Sequence, residues 1–252
     1  MEGITAKGLP LSQRGGLTAD FAALRIPAVP IPVAAIDIIA RIPIAERTFI
    51  DVILPIGFGA IGNPMVGAHH VFRPAERVWI NFGGAFGVPL INADRFQTFQ
   101  LARAFWDMGE FSRSTVPFVV RAGLEAHTGI FELRVQLEPV WGVSVEPSPS
   151  LFGSGATGGH LFALQHALEL QLGHAIGGGI RYQGVAIATN TLADNSGGAA
   201  DHYQGAVELF FRLYRDPIFA RLGFVVPLDS PLGAVNGSRT WGVHVQTGFN
   251  LD

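Results

Sequence analysis

The stretch Phe131-Glu132-Leu133-Arg134-Val135-Gln136-Leu137-Glu138 sorts its residues by parity alone, with Phe, Leu, Val and Leu at odd positions and Glu, Arg, Gln and Glu at even ones. A helix turns every 3.6 residues and cannot put those two sets on opposite faces; a strand, with a period of two, does so directly. The last stretch repeats the pattern. Trp241, Val243, Val245, Thr247, Phe249 and Leu251 share one face, and Gly242, His244, Gln246, Gly248 and Asn250 the other. Weaker copies run through 33–42, 48–58, 116–126 and 204–213, and segments of similar length fall near 14–25, 63–73, 77–88, 159–171, 176–188 and 218–228. The sum is about twelve strands, each of the length a tilted membrane strand requires.

The connections alternate in length. Short links lie at Pro43-Ile44-Ala45-Glu46, Pro74-Ala75-Glu76, His127-Thr128-Gly129, Gly173-His174 and Asp216-Pro217, with longer ones at 89–114, 143–158, 189–201 and 229–238. With both termini on one side and an even strand count, every short link falls on that same side. Short periplasmic turns and long extracellular loops are the rule for outer-membrane barrels.

Alternation also describes a soluble ligand-binding barrel, so the face that meets lipid has to be argued. Mean hydropathy is +0.34 and only 15% of the residues are charged. The polar face carries Gly83, Ala85, Gly87 and Gly123, where a water-facing surface would be dense in Lys and Glu. Aromatics gather at segment ends on the apolar face: Phe58, Trp141 and Trp241 at the outer ends, Phe72, Phe131 and Phe249 at the inner ends. Two such girdles mark the levels where headgroups meet hydrocarbon. A helical span is the other membrane option. The best uncharged apolar window, 52–72, contains Pro55, Asn63, Pro64, His69 and His70, and prolines and glycines at that density break a lipid-facing helix.

On this pattern the chain resembles Gram-negative outer-membrane β-barrel proteins of the porin or channel type as an architectural class, over nearly its whole length. The resemblance implies an all-β fold, a transmembrane up-and-down antiparallel barrel of about twelve strands in which residues 1–252 form a single domain. It also implies the outer membrane as location and the lipid bilayer as partner. The N-terminus, Met1-Glu2-Gly3-Ile4-Thr5, has no basic region followed by an apolar core, so a removed signal peptide is expected. Many members of the class end in an aromatic residue; this chain ends Phe249-Asn250-Leu251-Asp252. His166 also departs from the pattern, falling on the lipid face by parity.

Little points to catalysis or to a cofactor. Cysteine is absent, which excludes thiolate ligands and nucleophiles. His69 and His70 are adjacent and point to opposite faces of a strand, and the other histidines lack metal-ligand spacing. No His-x-Ser pair occurs; Asp201-His202, near the outer rim, lacks the further acid and base that catalysis needs. The expectation is a non-enzyme without cofactor or metal. Net charge is -3 with scattered basic residues, which offers nothing to nucleic acid. Residues 93–109 carry an approximate helical stripe of Phe96, Phe99, Ala102, Phe105 and Trp106, expected as a short helix on the rim or over the pore.

Parity then assigns the lumen. Its expected lining residues are Asp37, Arg41, Asp51, Arg121, Glu125, Glu132, Arg134, Gln136, Glu138, Glu169, Arg181, Glu208, Arg212 and His244, with Asp20, Arg73 and Arg221 on the same face. Acids and bases nearly balance, which suits small polar solutes better than either ion sign. The expected function is a passive pore for such solutes. The alternative is a closed barrel, its Arg and Glu paired across the lumen, serving as an anchor. If the lumen is wet, Glu208→Gln should be mild beside Leu209→Arg on the lipid face.

Overall fold

The computed structural model describes residues 15–25, 33–57, 60–90, 110, 115–144, 160–173, 175–190, 203–215, 217–228 and 240–251. The expected helix at 93–109, Phe58 and Asp201-His202 lie outside the described residues. Thirteen strands follow in chain order: β1 (Gly15–Arg25), β2 (Val33–Ala45), β3 (Thr48–Gly57), β4 (Ala60–Ile61), β5 (Met65–Ala75), β6 (Val78–Gly87), β7 (Thr115–Thr128), β8 (Phe131–Ser144), β9 (His160–Gly173), β10 (Ile176–Asn190), β11 (Tyr203–Arg215), β12 (Ile218–Pro227) and β13 (Trp241–Leu251). The two-residue β4 folds back on the end of β3, and the other twelve close a ring through the pairing of β1 with β13. All pairings are antiparallel and, apart from β4 and the closing pair of β1 with β13, join strands consecutive in the chain. The topology is up-and-down, and closure leaves the ring no open edge.

Burial runs opposite to that of a soluble barrel. Along β9 the buried positions include Gln165, Glu169 and Gln171, while Phe162, Leu164, Leu168, Leu170 and Leu172 lie open on the outside. The same inversion holds round the ring. Leu209 is 59% exposed and its neighbour Glu208 0%. An apolar surface continuous over a whole barrel cannot face water and stay dispersed, so the exterior is a lipid surface. Of the expected girdle residues that are described, Trp141 and Trp241 sit at the long-loop end and Phe72, Phe131 and Phe249 at the short-turn end, all exposed. Trp141 packs on Phe118, and Trp241 stacks on Phe224, in the outer belt.

The five short turns fall at one end, as the link lengths require, and they are stitched to one another. Val71 N–H donates to Arg47 O, His127 N–H to Arg77 O, Gly173 N–H to Ile130 O, Tyr214 N–H to Ala175 O and Asn250 N–H to Pro217 O, over 2.7–3.0 Å. Each of the first four turns thereby gives a carbonyl to the next hairpin and the fifth gives one to β13, which makes this rim a hydrogen-bonded collar. Arg47, Gly129 and Gly173 take positive φ there (60°, 57° and 98°), a conformation that glycine adopts without strain.

Strands run further into the expected short links, β2 to Ala45 and β5 to Ala75, and two side chains are placed differently. β7 continues through His127 and Thr128, so His127 is an inward strand residue and not part of a link. Arg73 does not enter the lumen. It is exposed at the collar, donating to Glu76 O (2.7 Å from Nη2) with its guanidinium 5.4 Å from the Trp79 ring centroid.

Candidate functional site in the charged lumen

Strand register, not parity, arranges the lumen charges. Glu125 on β7 stands opposite Arg134 on β8, Arg134 opposite Glu169 on β9, Glu169 opposite Arg181 on β10, and Arg181 opposite Glu208 on β11. Five successive strands therefore carry one inward row of alternating sign. Neighbouring strands lie roughly 4.8 Å apart, so Arg134, Glu169 and Arg181 each have an opposite charge within side-chain reach on both sides, while Glu125 and Glu208 end the row. Arg134 uses this fully, with Nε 3.2 Å from Glu125 and Nη1 3.4 Å from Glu169, and it also contacts Glu132 on its own strand.

The network then leaves the wall. Arg221 on β12 donates from Nη1 to Glu169 at 2.7 Å, passing over β10 and β11, and from Nε to Glu208 at 3.1 Å. Arg212 on β11 reaches Glu132 on β8 at 3.3 Å. His244 on β13 sets Nδ1 3.0 Å from Glu208 and Nε2 2.9 Å from Asp20 on β1, and Gln246 donates to the same aspartate. One connected chain of polar contacts runs from Glu125 to Asp20. Its members are nearly inaccessible: Arg181 is 1% exposed, Asp20 and Glu208 0%. None of the three guanidinium nitrogens of Arg181 has a hydrogen-bond partner among the described residues, so it balances the adjacent carboxylates by charge alone.

Two smaller groups line the rest. Arg41 Nε stands 3.5 Å from Asp51, which also binds His69, whose ring stacks on the inward Phe49 at 5.0 Å. Arg121 Nε lies 3.7 Å from Glu138, which accepts from Gln136 at 2.7 Å. Asp37 is buried opposite Asp20 in register. Glu125, His127 and Glu132 bring ligand atoms within 4.8 Å of one another. Arg134 contacts both carboxylates and Arg212 contacts Glu132, so arginines occupy oxygens that a metal ion would use.

All fourteen of the residues expected in the lumen by parity lie on the inward face and are buried: Asp37, Arg41, Asp51, Arg121, Glu125, Glu132, Arg134, Gln136, Glu138, Glu169, Arg181, Glu208, Arg212 and His244. Parity applied to amides would have added Gln165, Gln171, Gln183, Gln204 and Gln246. Applied to apolar residues, it puts Phe210 on the face of Glu208 and Arg212, and Phe219 on that of Arg221, but it does not show the room that these rings need. Phe210 fills the space that the bare Gly179 leaves, where a Cβ would come 2.6 Å from the ring, and Phe219 does the same at Gly248, at 2.7 Å. The Phe210 ring in turn lies 3.6 Å beneath the Arg221 guanidinium, a cation–π contact. The outward His166 is satisfied on the lipid face. Its Nε2 is 3.2 Å from the Tyr203 hydroxyl, which also meets that of Tyr182.

A closed antiparallel ring with an apolar exterior and an ionic interior defines a transmembrane β-barrel. Among solved structures the fold is similar to the NanC porin, with a TM-score of 0.59 at 7% identity over 93% of this chain and 100% of that one. It is similar to an outer-membrane channel from Pseudomonas putida F1, with a TM-score of 0.60 at 10% identity over the whole of both chains. It is also similar to the KdgM porin, with a TM-score of 0.53 at 8% identity over 93% and 99%. At such identities the likeness is one of fold. No protein-family model matches the sequence, and no curated protein does.

Proposed function

We propose that the protein is an outer-membrane channel for small polar solutes, with the ion-pair network as its constriction. The observation that carries this reading is the ionic interior: the described inward strand positions include eight buried carboxylates (Asp20, Asp37, Asp51, Glu125, Glu132, Glu138, Glu169, Glu208) against six arginines (Arg41, Arg121, Arg134, Arg181, Arg212, Arg221) and two histidines (His69, His244). Groups of both signs at close range replace part of a dipolar solute's hydration without holding either ion sign strongly. The porin-like fold supports the reading. In this proposal the bilayer is the partner, the short turns are periplasmic, and no catalytic role is assigned.

The second reading is a closed structural barrel, favoured by the chords Arg221–Glu169 and Arg212–Glu132 and by the rings of Phe210 and Phe219 inside the wall. Planar-bilayer recording separates the two. A channel gives discrete conductance steps with purified wild type, and steps that grow in Arg221→Ala. Wild type that stays silent under salt gradients and applied voltage would leave the closed barrel.

A further inference from the structure

We propose that the short-turn mouth of the barrel binds a small carboxylate with an apolar body, taken up through Arg212. A cavity of about 320 Å³ opens there, lined by Arg212, Glu132, His127, Tyr214, Ile130 and Phe131 among others. That volume is at the small end of small-molecule sites. The cationic wall is under-used. Arg212 is 8% exposed, its two bonds, to Glu132 and to Gly173 O, are long at 3.3 and 3.4 Å, and its Nε is a buried donor with no partner among the described residues. A guanidinium in that state gains from a carboxylate that meets it side-on with two short bonds.

The anionic wall is in the opposite condition. Glu132 is contacted by Arg134 as well as by Arg212 and accepts from Gln171, so a ligand that draws Arg212 away leaves no carboxylate unpaired. An entering cation would have to displace arginines from both Glu132 and Glu125. Across β11 and β12, Arg212 stands opposite Arg221, whose charge Glu169 and Glu208 already take up, so the attraction for an anion falls to Arg212. Opposite charge nearby favours an ionised carboxylate. The remaining lining is apolar or aromatic and held by the collar, with Gly173 N–H on Ile130 O at 2.9 Å and Tyr214 N–H on Ala175 O at 2.7 Å. A site fixed before the ligand arrives spends little on ordering itself. The site stands whether or not the lumen conducts.

Saturation-transfer NMR on the full chain in detergent micelles, with benzoate as probe and benzamide as its neutral isostere, tests this. Benzoate should bind saturably, with benzamide weaker by at least about tenfold, which is 1.4 kcal/mol. Arg212→Gln should abolish the difference. Ala175→Phe, which fills the cavity while touching no ion pair, should weaken benzoate by a similar factor and guards against misfolding of the arginine variant. No saturable benzoate signal, equal binding of the two probes, or full binding in Ala175→Phe would overturn the proposal. A silent bilayer recording would remove only the channel reading.

Discussion

Glu169 and Arg221 meet at 2.7 Å although their strands, β9 and β12, are separated in the ring by β10 and β11. Backbone pairing cannot make that contact; the two side chains span a chord of the interior. Both are about nine-tenths or more withdrawn from solvent, at 2% and 4% exposure. Each charge has given up its water and depends on its partner. The pair therefore couples non-adjacent strands, as Arg212–Glu132 and His244–Glu208 also do, in a barrel whose backbone pairing joins neighbours only.

Arg221→Met should then destabilise the barrel by about 3–5 kcal/mol, since it leaves Glu169 and Glu208 with a lost partner in a poorly solvated place. The double change Glu169→Leu with Arg221→Met should cost less than the sum of the two single changes, because it removes a buried pair instead of orphaning one member. Urea unfolding in lipid vesicles, read by tryptophan fluorescence, gives the cycle. Additive costs would mean that the chord carries no coupling.

Glu208 reaches its partners across a glycine. Gly223 faces inward on β12, opposite His244 in register, and a Cβ there would collide with the Glu208 carboxylate that binds Arg221 and His244. Gly223→Ala should cost about 1–3 kcal/mol, as overpacking does, because the Glu208 carboxylate can move aside only by giving up Arg221 and His244. Gly84→Ala, whose Cβ would meet only Val119 O at 3.2 Å, should be tolerated. Equal unfolding midpoints for these two variants would contradict the assignment of Gly223 as the space for Glu208.

The strands and their faces were legible because a bilayer enforces them: wherever Leu209 and Glu208 alternate, lipid and lumen take one each, and no third environment competes. Link lengths likewise foretold which end carries the turns. Register was not legible. Sliding β9 by two residues against β8 keeps every residue on its face yet moves Glu169 from Arg134, so parity cannot see the alternating row. The room for Phe210 was hidden for a related reason. Parity puts it inward with Glu208 and Arg212, but the Gly179 that makes space for its ring lies on another strand.

The comparison between neighbours on β11 changes once burial is known. Parity alone makes Glu208 a wettable position where Glu208→Gln is mild. At 0% exposure, bonded to Arg221 and His244, it is not. Leu209→Arg, on the lipid face, should cost about 2–4 kcal/mol near the midplane. Glu208→Gln should cost a comparable amount, since it halves the charge balance of Arg221. Reversible urea titrations in lipid vesicles, applied to both variants, decide this. A Glu208→Gln variant as stable as wild type would show that water reaches the network.

Ion selectivity gives the last prediction. Glu132 and Glu138 stand on one face of β8 with Arg134 and Gln136 between them, forming a ladder with neighbouring rungs about 6.5–7 Å apart. Replacing both glutamates with Gln releases Arg212 from Glu132 and Arg121 from Glu138. Two arginines then face the lumen without their carboxylates, in a narrow space where salt screens weakly, so reversal potentials should shift towards anion selectivity. Arg134→Gln does the reverse. It leaves Glu125, Glu132 and Glu169 short of a shared cation and should shift selectivity towards cations. The two variants bracket wild type if the network lines the permeation path. If conductance persists and both variants keep the wild-type reversal potential, solutes pass elsewhere in the barrel. If wild type is silent and both variants unfold more readily, the network is a structural lock, and the ladder holds the barrel together without facing any solute.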